Sequence, residues 1–390
     1  MMWSGTGARR FTKCSHAPRV QLPRLPCPDM LVARVIAKLE PGGAQLSAFR
    51  LSAALRRLGI ETRLLAGDAT RDGIRLAREH GLEPDCFRRR VTGLQWTPSP
   101  AFAAWLAPRL AGADLVHAHM FGGWWAAACA IAPAVPLVAS EHNALNWPDE
   151  PHDDAFRDAL RRVDRFFAHG PAATAYVCAR RYPAERLAEG RSAIGGADSR
   201  PLPELPARRI VYTGRLAPDK GPDLLVEALA RLRAPVPAFI VGEGRMRGAL
   251  ERRVRELGIE RRVAFAGWQH EPGRWVAGAG VFVAPSREEA WSQSVVLAMA
   301  LGTPVVATAV EGLPDVLADG RGILVAPEDP DALAEAIADV LAGRRRTDTD
   351  AARRYAAGFT PQLIAWEYAA SYRRLLATRL EPVGAEGAAA

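Results

Sequence analysis

Residues 285–291 read PSREEAW, and Ser292, Gln293 and Ser294 follow before an unbroken apolar run. Two carboxylates stand where a strand should end, next to a serine suited to cap a helix. The free amides of a first helical turn can hold a phosphate. A carboxylate at the same mouth repels phosphate but accepts hydrogen bonds from sugar hydroxyls. A site that wants both points to a nucleotide sugar. Upstream, TGRLAPDKG (213–221) sets Arg215 and Lys220 around a tight turn, with Gly221 opening a helix. A guanidinium matches two oxygens, an ammonium adds a point charge, and a helix end adds amide donors, which together make a diphosphate clamp. In FIVGEGRMRG (239–248), Gly242 and Gly244 mark a strand-to-helix turn where backbone amides could approach a ligand. As a dinucleotide fingerprint it is incomplete, and the strand after it lacks the acidic residue that holds a cofactor ribose. Each feature also has a bland reading: loop charge, a ligand-free turn, or capping with dipole compensation.

The elements that must carry these residues alternate. Strands are expected at 31–38, 62–67, 114–119, 136–140 and 165–170, then at 209–214, 238–244, 262–267, 281–286, 304–308 and 322–327, with helices between them. Their nearly continuous apolar runs suit strands covered on both faces, so the fold class is α/β with parallel sheets. The proline- and glycine-rich stretch at 195–209 breaks the alternation. The expected organisation is a flexible leader (1–29), an N-terminal Rossmann-like domain (30–195), a linker (196–208), a C-terminal Rossmann-like domain (209–360) and a final helix (361–380). Ligands of open α/β sheets bind beyond the carboxyl ends of the strands, so two such domains would enclose a cleft.

Bulk properties narrow the class. The 390 residues are 49% hydrophobic and 24% charged, ordinary for a folded protein with a sizeable core. The net charge of +8 suggests nucleic acid at first sight, but residues 1–30 carry five basic residues and one aspartate, and the body is nearly balanced. The cluster Arg344–Arg346 reads as a solvated loop past a helix end, and no nucleic acid partner is expected. Five widely spaced cysteines without a CxxC make neither a disulfide framework nor a zinc site, and a cytoplasmic location fits best. The apolar stretch 124–140 is broken by Pro133 and Pro136 and is shorter than the ~20 residues a spanning helix needs. No transmembrane segment is expected, while peripheral membrane contact stays open.

Arg215 with Lys220, VGEG (241–244), PSREEAW (285–291), AMALGTPVVAT (298–308) and ILVAPEDPDALAEAI (323–337) together resemble the donor half of family 4 retaining glycosyltransferases. The resemblance is looser in the first half, where Gly42-Gly43, the VHAH strand and SEHN with His142 carry it. It implies the GT-B fold, with two Rossmann-like domains facing across a cleft and a last helix returning to the N-terminal domain. It implies that Arg215 and Lys220 hold the donor diphosphate, that Glu289 contacts the donor sugar, and that His142 lies near the reacting carbon. Gly42 and Gly43 would approach the donor phosphates or acceptor, and Ser292, Gln293 and Ser294 would form the donor-binding turn. The family's second glutamate, which usually holds the ribose, falls on Leu297. Losing that charge-assisted bond would cost roughly 1.5–3 kcal/mol.

The expected reaction moves a hexosyl or aminohexosyl unit from a nucleotide-diphosphate sugar to a hydroxyl of a small acceptor, with retention. The sugar nucleotide is a co-substrate; no cofactor or metal is required. DPD (329–331) and DTD (348–350) resemble metal-binding DxD motifs but sit at helix starts, where capping is preferred. His117 and His119 should point the same way from one strand, without an evident third ligand. EHNALNWPDEPHDD (141–154) is acidic and free of Lys and Arg. It suggests an amine-bearing acceptor, with Glu141, Asp149 and Trp124 as acceptor-binding candidates. The first half also resembles glycosyltransferases of aminoglycoside antibiotic pathways, which points the same way. A non-catalytic nucleotide-sugar binder and a nicotinamide-dependent oxidoreductase remain the alternatives, alongside a sugar-nucleotide epimerase of the same fold.

Overall fold

The computed structural model describes residues 30–142 and 152–380. The leader at 1–29 therefore lies outside the described residues. The first sheet has seven strands: β1 (Met30–Leu39), β2 (Ile60–Ala69), β3 (Pro84–Arg88), β4 (Leu115–His119), β5 (Leu137–Glu141), β6 (Arg165–Ala168) and β7 (Leu187–Glu189). Their order is β3-β2-β1-β4-β5-β6-β7, and every pair is parallel. The second sheet has six: β8 (Ile210–Thr213), β9 (Ala238–Val241), β10 (Val263–Gly267), β11 (Val281–Ala284), β12 (Val305–Thr308) and β13 (Ile323–Val325). It runs β10-β9-β8-β11-β12-β13, again all parallel.

The central strands are buried along almost their whole length, as expected where helices cover both faces. The edge strands β3 and β7 are absent from the sequence reading. PDCFR and LAE are half exposed and lack an apolar run, so their pairing partner makes them strands. The apolar stretch 124–140 divides into the end of helix Phe121–Ala130 and the buried β5. Among the described residues, no helix is long and apolar enough to cross a membrane.

One core cluster joins the two sheets. It holds Leu51 and Leu55 from helix Gly43–Arg56, Val295 and Met299 from helix Gln293–Ala300, and Ile364, Ala365, Tyr368, Ala369 and Tyr372 from helix Pro361–Leu380. The last five recur at helical spacing and form the buried stripe of that helix. Its Tyr372 hydroxyl reaches His117 in the first sheet (2.6 Å), and its Glu367 pairs with Arg191 (2.5 Å). Residues 190–209 form neither helix nor strand. They are held in place all the same, because buried Arg209 donates to the carbonyls of Pro206 (2.7 Å), Trp275 and Ala277 (2.5 Å).

Candidate active site

In each sheet the chain reverses direction of growth beside its first strand, between β1 and β4 and between β8 and β11. Crevices open beyond the strand ends at such switch points. Gly42-Gly43 follows β1, His119 ends β4, Arg215 and Lys220 follow β8, and Glu288-Glu289 follows β11. The candidate residues thus flank both switch points.

On the C-terminal side, two loops are zipped together. The Asp219 carbonyl accepts from the amides of Arg287 (2.9 Å) and Glu288 (3.1 Å). Gly221 has φ 58, and a Cβ there would lie 1.9 Å from the Pro285 carbonyl, so only glycine lets the loops meet. Arg287 ties the junction down through Asp223 (2.8 Å) and Glu328 (2.5 Å). Lys220 is thereby set to donate to Glu289 (3.0 Å) and to the Glu288 carbonyl (3.0 Å). Arg215 is half exposed and pairs with Asp219 (2.7 Å). Ser292 caps helix Gln293–Ala300, its hydroxyl accepting from the Val295 amide (3.4 Å) and lying 3.2 Å from Ser294 Oγ. Asp329 and Asp348 also cap helices, so DPD and DTD serve as N-caps.

The N-terminal side meets this surface directly. Gln293 donates to the Gly43 carbonyl (2.6 Å), and a Cβ on Gly170 would lie 2.6 Å from the Ala290 carbonyl. Arg50 spans the junction, donating to Gln293 Oε1 and to the Ala193 carbonyl, both at 3.4 Å; burial pulls its pKa down to about 10. His142 stands just past β5 with its ring against His119 and His169 (centroids 5.7 and 3.8 Å). Burial, then the nearby Arg34 charge, lowers the His142 pKa to about 4, so the ring is neutral at physiological pH. It is not poised to carry a positive charge.

Residues 207–343 match the family described as glycosyl transferases group 1, and residues 41–189 match glycosyltransferase family 4. The chain belongs to the family 4 glycosyltransferases. A D-inositol 3-phosphate glycosyltransferase of Streptomyces scabiei (strain 87.22) is 32% identical over 60% of this chain, and the match spans 62% of that relative's length. One of Streptomyces griseus subsp. griseus is 29% identical over 85% of this chain and 83% of its own. The solved structure of Anabaena Alr3699/HepE in complex with UDP and glucose superposes with a TM-score of 0.74 at 22% identity, covering 88% of this chain and all (100%) of that one. The two parallel-sheet domains are the GT-B fold.

Within this glycosyltransferase, some expected site residues are placed otherwise. Trp124 is fully buried among Phe121, Phe156 and Phe166, so its indole offers no face to an acceptor. Helix Phe121–Ala130 is apolar all round and therefore lies inside. Glu141 is also buried, with Oε1 accepting from the His142 amide (3.1 Å), and does not form an exposed rim. Asp149 lies outside the described residues. Gly242 and Gly244 serve backbone packing: Cβ atoms there would lie 1.9 Å from the Gly214 carbonyl and 2.3 Å from the Leu216 carbonyl. Leu297 is buried, near Gly196 of the segment joining the sheets.

Other residues at the site escape the sequence reading. Arg34, midway along β1, lies in the histidine cluster. His169, just past β6, has a buried Nε2 without a hydrogen-bond partner among the described residues. Glu311 has φ 41, and burial with Glu288 and Glu289 raises its pKa. Away from these groups, Arg88 ends β3, and Arg89 and Arg90 lead to Val91, the exposed large hydrophobic among the described residues. The signals were a charged residue inside an apolar strand and a non-glycine residue before Gly312 in a turn.

Proposed function

We propose that the chain transfers a hexosyl unit from a nucleotide-diphosphate sugar, held on the C-terminal domain, to a hydroxyl of a small polyhydroxylated acceptor at the N-terminal domain. The observation that carries this reading is the Lys220–Glu289 pair beside the capped start of helix Gln293–Ala300, facing Gly43 across the cleft. Lys220, Arg215 and the first-turn amides would stabilise the leaving diphosphate, while Glu289 would accept from sugar hydroxyls. The UDP and glucose found with the Anabaena neighbour support this class of donor.

The configuration at the anomeric carbon is retained in this reading. The bond from that carbon to the phosphate oxygen breaks with its electron pair going to phosphate. The acceptor oxygen bonds to the same face, and its proton passes to the leaving phosphate oxygen. No side-chain base and no metal enters. The amine-bearing acceptor loses two supports, because Trp124 and Glu141 are buried. Relatives named for D-inositol 3-phosphate suggest a cyclitol ring instead.

A thermal-shift screen of UDP, GDP, ADP and dTDP sugars identifies the donor, since a ligand of the native state raises Tm. Transfer from that donor is then measured with neutral, amine-bearing and phosphate-bearing cyclitols. Lys220→Met and Glu289→Gln should each lower kcat by roughly 10²–10³-fold, as loss of a preorganised charge does. Undiminished turnover in both variants refutes the reading.

A further inference from the structure

Arg34 is fully buried, and among the described residues no carboxylate pairs with it. Its Nε donates to Ser52 Oγ (2.9 Å). Its Nη1 donates to His117 Nδ1 (3.2 Å) and to His119 Nε2 (2.8 Å). A guanidinium has donors and no acceptor, so both of these ring nitrogens must offer a lone pair. The proton of each neutral ring therefore sits on the other nitrogen. His117 Nε2–H donates to Ser140 Oγ (2.8 Å), while Tyr372 of the last helix donates to His117 Nδ1. His119 Nδ1–H points at His142 Nε2 (3.4 Å), with the two rings nearly parallel at 12°.

His142 must then accept at Nε2 and keep its own proton on Nδ1. That nitrogen has no partner among the described residues, and the residue is only half-buried at the mouth of the cleft. Among the described residues, the groups around the ring favour this arrangement. His119 and His169 cover it, Arg34 stands behind, and Glu141 is engaged with the His142 backbone amide. Doubly protonated imidazoles are disfavoured throughout: burial, and then neighbouring positive charge, pushes His117, His119 and His142 below histidine's ordinary range.

We propose that Arg34 and His119 are positioning residues that fix the tautomer of His142, so that it meets the sugar substrate as a neutral Nδ1–H hydrogen-bond donor and not as a base. The substrate in this statement rests on the glycosyl-transfer reading; the tautomers do not. The relay begins in the middle of β1, is fastened by Tyr372 from the returning helix, and ends at the cleft. A cation without a carboxylate partner is costly to bury. Its use here is to dictate where protons sit on rings that would otherwise choose freely.

The test is long-range ¹H–¹⁵N correlation on the whole protein, which reports which imidazole nitrogen carries the proton. The expected result is Nε2–H for His117 and Nδ1–H for His119 and His142. An Nε2–H tautomer at His142 overturns the proposal, whatever the enzyme transfers. His119→Phe keeps a ring but removes the donor, and should release the His142 tautomer and lower kcat roughly tenfold, the scale of one hydrogen bond, with KM nearly unchanged. Arg34→Met should do the same and Arg34→Lys should restore part of it. A folded His119→Phe with the His142 tautomer and kcat intact overturns the proposal. If no sugar nucleotide is ever turned over, the transfer reading fails while the spectra still decide the relay.

Discussion

Mild acid should unfold this protein at a pH where most folds are comfortable. His117, His119 and His169 are held well below histidine's ordinary range, chiefly by burial, and His142 is held at about 4. The unfolded chain titrates near 6.5. Between these values the unfolded state binds protons that the fold refuses, so stability is full above pH ~6.5 and falls as pH drops towards ~4. The slope is about 1.4 kcal/mol per pH unit for each imidazole once pH is below its unfolded value. At pH ~5.5 each ring that stays neutral in the fold costs about 1.4 kcal/mol, so four such rings together cost about 5.6 kcal/mol, comparable to the total stability of a marginal domain. Glu311 and Glu367, whose pKa values are raised mainly by burial, work the other way, because acid favours their protonated folded forms. Urea denaturation across pH ~7.5 to ~5.5 measures the loss, and His169→Phe should reduce the slope by about one proton. A wild-type stability constant within ~1 kcal/mol over that interval refutes the reasoning, since the rings would then be protonated as easily folded as unfolded.

Three further outcomes follow from single contacts. Glu311→Gly removes a side chain from a left-handed conformation, where L-residues pay about 1–2 kcal/mol, and from repulsion by Glu288 and Glu289; urea unfolding should show a net gain of roughly 1 kcal/mol after the glycine's unfolded-state entropy is counted. Gly221→Ala should cost at least ~2 kcal/mol and abolish the nucleotide-induced rise in Tm, because the Cβ displaces the loop that carries Lys220. Trp124→Ala should cost about 3–5 kcal/mol by opening a core cavity, whereas Trp124→Phe should leave the acceptor KM unchanged; a large KM effect in the folded phenylalanine variant would restore the indole to the acceptor site.

The parts of the site that the sequence made legible are those where spacing alone fixes geometry. Arg215, Lys220, Glu289 and Ser292 sit in short turns directly after apolar strands, and such turns have few conformations. Counting residues from the strand end therefore located them, and Ser292 capped the helix as its type suggests. The same method failed for Trp124 and Glu141. Residue type suggested an aromatic platform and an acidic rim, but burial decided otherwise, and burial depends on which face of the element meets the sheet. The edge strands were missed for a related reason: β3 and β7 owe their conformation to a neighbour and carry little pattern of their own.

The histidine cluster was illegible for a deeper reason. Its members come from four adjacent strands and from the chain's last helix, so no local spacing relates them. Register does: Arg34 is paired with His117, and His119 with Ser140. Tyr372 joins them only because the final helix returns across the first sheet. One residue did carry a signal by itself. An arginine in the middle of MLVARVIAKL cannot be explained by the strand's own burial pattern, since a lone cation in an apolar strand must find acceptors across the sheet. Two strand histidines with the same parity as each other, in a parallel sheet, are acceptors of that kind. The positive charge that the lone pairs of His117 and His119 face is not a metal ion but the guanidinium of Arg34.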